Sequence, residues 1–228
     1  MICSNITKIK KTIADAALRC GRDPGEITLL AVSKRMTASK IEEAFRCGQR
    51  YFGENFIQEA KEKINNLAPS IAWHFIGHLQ SNKARQAVQI FTMIETVDRL
   101  KIARALNRYA SELDKHLDIL VQVNVGLERQ KSGINPQNGE QFIQELATLK
   151  NLRIKGLMTM PPYSPDPEES RPHFRALKQM ATEFQNKGFF TDNTSVVLSM
   201  GMTSDYIIAI EEGATLVRVG TGIFGKRT

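Results

Sequence analysis

Lys34 closes the segment TLLAVSK and is the residue of this chain best placed for covalent chemistry. Leu29, Leu30, Ala31 and Val32 form the continuous apolar run of a parallel strand covered on both faces, so Lys34 falls at that strand's C-terminal end. Two readings are open. A long aliphatic stem lets a lysine carry its charge to water where a strand leaves the core. A desolvated amine beside other cations instead loses its proton and becomes a nucleophile toward aldehydes, forming a Schiff base.

A second set of residues suits an anion. In SMGMTSDYIIAI, Gly201 lets the backbone turn closely around a ligand, Ser199 and Thr203 offer hydroxyls, and a helix opening near Thr203 offers unpaired N–H groups. Met202 lies in the same turn. In RVGTGIFG, Gly220, Thr221 and Gly222 supply another small, donor-rich turn. Either segment alone is ordinary helix-capping chemistry; together they form a candidate phosphate site. Between Val217 and Val219, Arg218 points opposite to both by alternation, and a buried arginine must be paired. Its partner is a core carboxylate such as Glu54 or Glu95, or else a ring nitrogen or acidic group of a ligand. Beside a pyridine nitrogen it would keep that nitrogen unprotonated and weaken the ring as an electron sink.

These residues need a frame. Eight short apolar runs begin at Ile27, Arg50, Ile71, Phe91, Leu117, Leu152, Thr194 and Thr215, and helical spacing fills the gaps between them. Ile41, Ala44 and Phe45 precede Cys47-Gly48, Phe142 to Leu149 follow an Asn135-Pro136 start, and Phe174 to Phe184 mark an amphipathic face. Ile2, Ile6, Ile9, Ile13 and Ala17 predict an extra helix ahead of the first strand. Eight alternations predict a single α/β domain over 1–228, a closed (β/α)8 TIM barrel, with a doubly wound open sheet as the competitor. A barrel often builds its phosphate site from the loops after strands seven and eight, where the two candidate turns fall. The proline-rich MPPYSPDPEESRP follows the sixth run, either as a stiff loop on the rim of the site or as an exposed connector.

Composition narrows the classes. A chain of 228 residues with 42% hydrophobic content can bury a core, and no stretch approaches the roughly 20 apolar residues of a membrane span. The first twenty residues are interrupted by Lys8, Lys10 and Lys11, unlike a secretory signal. Cys3, Cys20 and Cys47 are an odd, widely spaced set, which predicts no disulfide framework and no thiolate metal site, and a reducing, cytoplasmic setting. The net charge of +7 is spread along the chain, and aromatics make up only 7%, which argues against a nucleic-acid binder. His74 and His78 are read as structural groups, with no metal expected.

The segments LLAVSK, YFGENFIQEA, WHFIGHLQSNK, KSGI, GLMTM, SMGMTSDYIIAI and VRVGTGIFG together resemble the YggS/PROSC family of pyridoxal phosphate homeostasis proteins, in order along the chain. The resemblance implies a barrel similar to the N-terminal domain of alanine racemase, of fold-type III. It implies that Lys34 forms the internal aldimine with pyridoxal 5′-phosphate (PLP), and that Asn55 lines the ring pocket. Ser199, Gly201, Met202, Thr203, Gly220 and Thr221 would hold the phosphate, and Arg218 would face the pyridine nitrogen. Phe56 replaces a common tyrosine, Thr203 stands where serine is usual, and RMTAS follows Lys34 in place of the family's more usual residues. Lys83 and Lys131 lie in family-like motifs without an assigned role.

Racemisation needs an acid/base group on each face of the substrate carbon. Of Tyr51, Tyr109, Tyr163 and Tyr206, only Tyr163 is a candidate to oppose Lys34, and the chain ends soon after the barrel. The expectation is a monomeric, non-catalytic carrier that buffers PLP and exchanges it with PLP-requiring apoenzymes, with no membrane or nucleic-acid partner. A racemase-like enzyme is the alternative, followed by an aldolase-type Schiff-base enzyme without cofactor.

Overall fold

A computed structural model of the chain describes residues 1–128 and 130–225. Among the described residues, the strands are β1 (Thr28–Val32), β2 (Tyr51–Glu54), β3 (Ala72–Phe75), β4 (Met93–Val97), β5 (Leu117–Gln122), β6 (Leu152–Met158), β7 (Val197–Ser199) and β8 (Leu216–Val219). All pair in parallel and in sequence order, and β8 returns to β1 with Arg218 beside Leu30, so the sheet closes. Each of the eight apolar runs contains one strand, and the (β/α)8 barrel is the fold. The open sheet is excluded by that last pairing.

The helices are α1 (Ile2–Arg19), α2 (Ala38–Arg46), α3 (Ile57–Ile64), α4 (Ala84–Ile90), α5 (Leu100–Glu112), α6 (Gly139–Ala147), α7 (Arg171–Asn186), α8 (Tyr206–Glu211) and α9 (Thr221–Phe224). Alternation sorts the strand residues between two layers. Leu29 and Ala31 join the large core between strands and helices, whereas Leu30 packs inside the barrel with Ile76 and Leu216. Met93, Leu120 and Met158 form a second interior cluster. Gly53 is small because a side chain there would start 2.9 Å from Leu30 and 3.0 Å from the Ile76 methyl.

Local chemistry sets several boundaries. The seventh run starts at Thr194, yet β7 begins only at Val197, because the Asp192 carboxylate accepts the Thr194 N–H (3.0 Å) and hydroxyl (2.7 Å) and holds a turn there. Asn135 caps the Gln137 N–H at 2.9 Å, as an N-cap should, but the helix first makes one 3-10 turn at Pro136–Asn138 before α6. The extra N-terminal helix is present as α1. It buries Ile2, Ile6, Ile9 and Ile13, spaced by three or four residues, and packs on α2, α8 and α9.

That packing overturns the expectation of three unpaired cysteines. Cys3 on α1 and Cys47 at the end of α2 form a disulfide, with Cα atoms 5.3 Å apart, and Cys20 remains free and exposed. The sequence separation of 44 between the two cysteines concealed a pairing that only adjacent helices create. Among the described residues, no helix is long and apolar enough to cross a membrane.

Candidate functional site

Lys34 sits in the turn that follows β1, and that turn is fixed from behind by charged groups. The Ser33 hydroxyl donates to Glu54 Oε1 at 2.6 Å, and Met36 N–H donates to the Ser33 carbonyl at 3.0 Å. Lys63 of α3 sends its ammonium to the Ser33 carbonyl (2.8 Å), Glu54 Oε1 (2.8 Å) and Glu59 Oε1 (2.7 Å). Glu59 in turn accepts the N–H of Arg35, which takes the uncommon positive φ of 61°. The backbone on both sides of Lys34 is therefore clamped by a Glu54–Lys63–Glu59 chain, its first two members buried and Glu59 half-buried. Burial pushes the Glu54 carboxyl above its ordinary range, and the Lys63 ammonium opposes that shift.

Lys34 opens into a cavity of about 770 Å³ at the C-terminal mouth of the barrel, together with Val32, Asn55, Arg218, Gly220 and Thr221. Asn55 Oδ1 is buried there with no hydrogen-bond partner among the described residues. The two candidate phosphate turns meet: the Thr203 and Thr221 hydroxyls are 3.2 Å apart, and both line the cavity with Met202 and Ser204. Asp205 organises the first turn by accepting the Met202 N–H at 2.6 Å and the Ser170 hydroxyl at 3.1 Å.

Ser199 and Gly201 stand apart from that group. Ser199 is fully buried and absent from the cavity wall; its hydroxyl donates to Glu95 Oε2 and accepts from Arg218 Nη1, both at 2.5 Å. Gly201 has φ +89°, and a side chain there would meet Ala209 Cβ at 2.5 Å and Tyr206 Cα at 2.9 Å. Its smallness lets α8 pack against the end of β7.

Arg218 is held on two sides, by Ser199 and by a 2.7 Å bond to the Thr159 carbonyl. Burial lowers its pKa, and the Glu95 and Asp205 carboxylates act against that. Of the two core carboxylates open as partners, Glu95 is the one it reaches, through the Ser199 hydroxyl. Glu95 also takes His74 Nδ1 at 2.7 Å, so a buried chain His74–Glu95–Ser199–Arg218 crosses the barrel interior. An amine, paired hydroxyls and a guanidinium around one cavity suit a small aldehyde that carries an anionic group.

The comparisons agree with that chemistry. Residues 6–228 match the family described as alanine racemase, N-terminal domain. The pyridoxal phosphate homeostasis protein of Escherichia coli (strain K12) is 43% identical over 231 residues, covering 99% of this chain and 97% of the relative. The same-named protein of Aquifex aeolicus (strain VF5) is 37% identical over 227 residues, covering 99% and 98%. The chain belongs to the pyridoxal phosphate homeostasis protein family. A solved structure of PipY of Synechococcus elongatus PCC7942, with PLP bound, superposes with a TM-score of 0.87 at 36% identity, covering 99% of this chain and all of that one. Alanine racemase from Clostridium difficile 630 superposes at 0.76 with 16% identity over 57% of its length, a likeness of fold.

Within this homeostasis-family barrel, sequence reasoning missed the Glu54–Lys63–Glu59 clamp, Thr159 and the outer wall of the cavity. On that wall Lys131 donates to the Pro161 carbonyl at 2.8 Å and pairs with Glu128, while His78 contacts the Ser132 hydroxyl (3.2 Å) and Arg99 (3.2 Å). The proline-rich loop lines the mouth through Pro161, Pro162, Tyr163, Ser164 and Pro167, which favours the rim reading over the connector. The KSGI motif had flagged Lys131; Lys83, flagged likewise, is half-buried at the start of α4 and outside the cavity wall.

Proposed function

We propose that the chain is one PLP-binding barrel domain that holds the cofactor reversibly and releases it to apoenzymes, as a carrier rather than a catalyst. PLP, when bound, supplies an aldehyde carbon open to attack by an amine. Lys34 is the residue assigned to that attack, and the clamp behind it keeps its backbone from moving. Thr203, Thr221 and Gly220 hold the phosphate end, with Met202 and Ser204 beside them. Asn55 lines the ring pocket, and its unpartnered Oδ1 is the buried group that a ligand donor would satisfy. Arg218 faces the ring nitrogen. Ser199 acts from behind, as the hydroxyl that aims Arg218, and Gly201 shapes the turn.

The observation that carries this reading is the meeting of Lys34 with the Thr203–Thr221 pair in one cavity, in a chain 43% identical to a named homeostasis protein. The carrier reading draws on the same cavity. Tyr163, the one tyrosine on its wall, is 88% exposed, whereas a general acid opposite Lys34 must be held in reach of the reacting carbon.

The test is the near-visible spectrum of the protein with added PLP, beside Lys34→Ala, followed by borohydride reduction and peptide mapping. A yellow wild type with the reduced adduct on Lys34, lost in the variant, is expected. Turnover of an amino acid at enzymatic rates, abolished by Lys34→Ala, would replace the carrier with the racemase-like enzyme. No chromophore and no adduct would return Lys34 to a lysine at a strand end.

A further inference from the structure

Cys3 lies in the first turn of α1, exposed, and Cys47 caps the end of α2, half-buried. Their Cα separation of 5.3 Å falls within the usual range for a disulfide, so the bond closes without backbone movement. The position of the bond relative to the cavity is what gives it a consequence. On one side, α2 begins just after the Lys34 turn, with Thr37 as its N-cap. On the other, α1 is the backing of α9: Asn5 donates its amide to the Ile223 carbonyl at 2.9 Å, and Ile9 reaches within 3.4 Å of where a Gly222 side chain would start. The N-terminus of α9 is Thr221, next to Gly220, and both line the cavity. One covalent bond on the outer surface thus joins the element behind the phosphate-end turn to the helix that leaves Lys34.

We propose that Cys3 and Cys47 are a thiol–disulfide exchange site, with small-molecule disulfides and dithiols as substrates, whose redox state sets how firmly the barrel mouth retains its cofactor. The inference about retention rests on the PLP reading above. Cys3, the more exposed residue of the two, meets a soluble disulfide RSSR first. Its thiolate attacks one sulfur, the S–S bond of the reagent breaks, and one RS⁻ leaves. The Cys47 thiolate then attacks the Cys3 sulfur of the mixed disulfide and displaces the second RS⁻. The protein loses two protons and two electrons, and the reagent gains both as two RSH. Excess dithiol runs the sequence backwards. Formation of the bond ties the two ends of the cavity together; its loss frees α1 and α9 to move apart from α2.

The test uses the full chain in a Cys20→Ser background, with Cys3→Ser and Cys47→Ser made separately. Each protein is equilibrated across mixtures of a small dithiol and its disulfide, and free thiols are counted by alkylation and mass. PLP is then loaded, the Lys34 adduct is quantified after borohydride, and PLP loss on dilution is followed by absorbance. We expect both thiols to disappear together on oxidation, and the same adduct on Lys34 in both states. The reduced form should release PLP about fivefold faster or more, a modest coupling between sites. Each serine variant should release at the reduced rate under all conditions. Thiols that never pair, or release rates that ignore redox state, would overturn the proposal. An adduct missing from both states would sink the Lys34 reading and with it the control of retention, while thiol pairing would still report on the exchange site by itself.

Discussion

Ser199 and Thr203 are both hydroxyl residues of one short segment, and the structure gives them opposite surroundings. Ser199 is buried between the Glu95 carboxylate and the Arg218 guanidinium, whereas Thr203 is exposed on the cavity wall against Thr221. A comparison of PLP with pyridoxal, which lacks the phosphate, separates the two roles. Thr203→Ala should weaken PLP more than pyridoxal. Ser199→Ala should weaken both alike and cost about 1–3 kcal/mol of stability, because Arg218 Nη1 loses a buried acceptor. Binding titrations of the two ligands check this, and a phosphate-selective loss in Ser199→Ala would reverse the assignment. Sequence could identify both as donors near a turn. Which one lines the cavity depended on Glu95, about a hundred residues away from Ser199, and no local pattern reports that.

At the scale of elements, α3 matters because Lys63 is its one buried cation and reaches three acceptors around the Lys34 turn. Lys63→Met leaves the Glu54 carboxylate buried without its counter-ion, a change that costs about 3–5 kcal/mol when the acid is ionised. The pH dependence follows from the direction of the Glu54 shift. Its folded-state pKa is raised, so its contribution to stability is full below the unfolded value and is lost as pH rises through the folded one. Removing Lys63 raises that pKa further. The deficit of Lys63→Met relative to wild type should therefore be smallest in acid and grow toward neutral pH. Denaturant unfolding across that range measures it, and a deficit that does not change with pH would count against the clamp. Lys63 is invisible from sequence as a site residue, since on a helical pattern it reads as one more surface lysine.

Over the whole molecule, the Cys3–Cys47 bond joins positions separated by 44 in sequence and encloses β1, α2 and the Lys34 turn. Chain-entropy reasoning gives such a closure about 4 kcal/mol. For a chain of this size that corresponds to a midpoint shift of about 8–16 °C. The wild type should melt that much higher than Cys3→Ser without reductant, and the two should converge with reductant present. Equal midpoints in both conditions would show that the bond does not constrain the unfolded chain.

The sequence alone determined the barrel and the two turns that meet at its mouth. Strand and helix periods are local properties, and eight apolar runs, an amphipathic first helix and two glycine-bearing, hydroxyl-bearing turns after the last two strands are readable residue by residue. Tertiary structure decided the partners. The disulfide, the clamp behind Lys34 and the withdrawal of Ser199 behind Arg218 all join residues distant in the chain. Their energies depend on burial and on distances of a few ångströms, which exist only once the sheet has closed and the helices have packed around it.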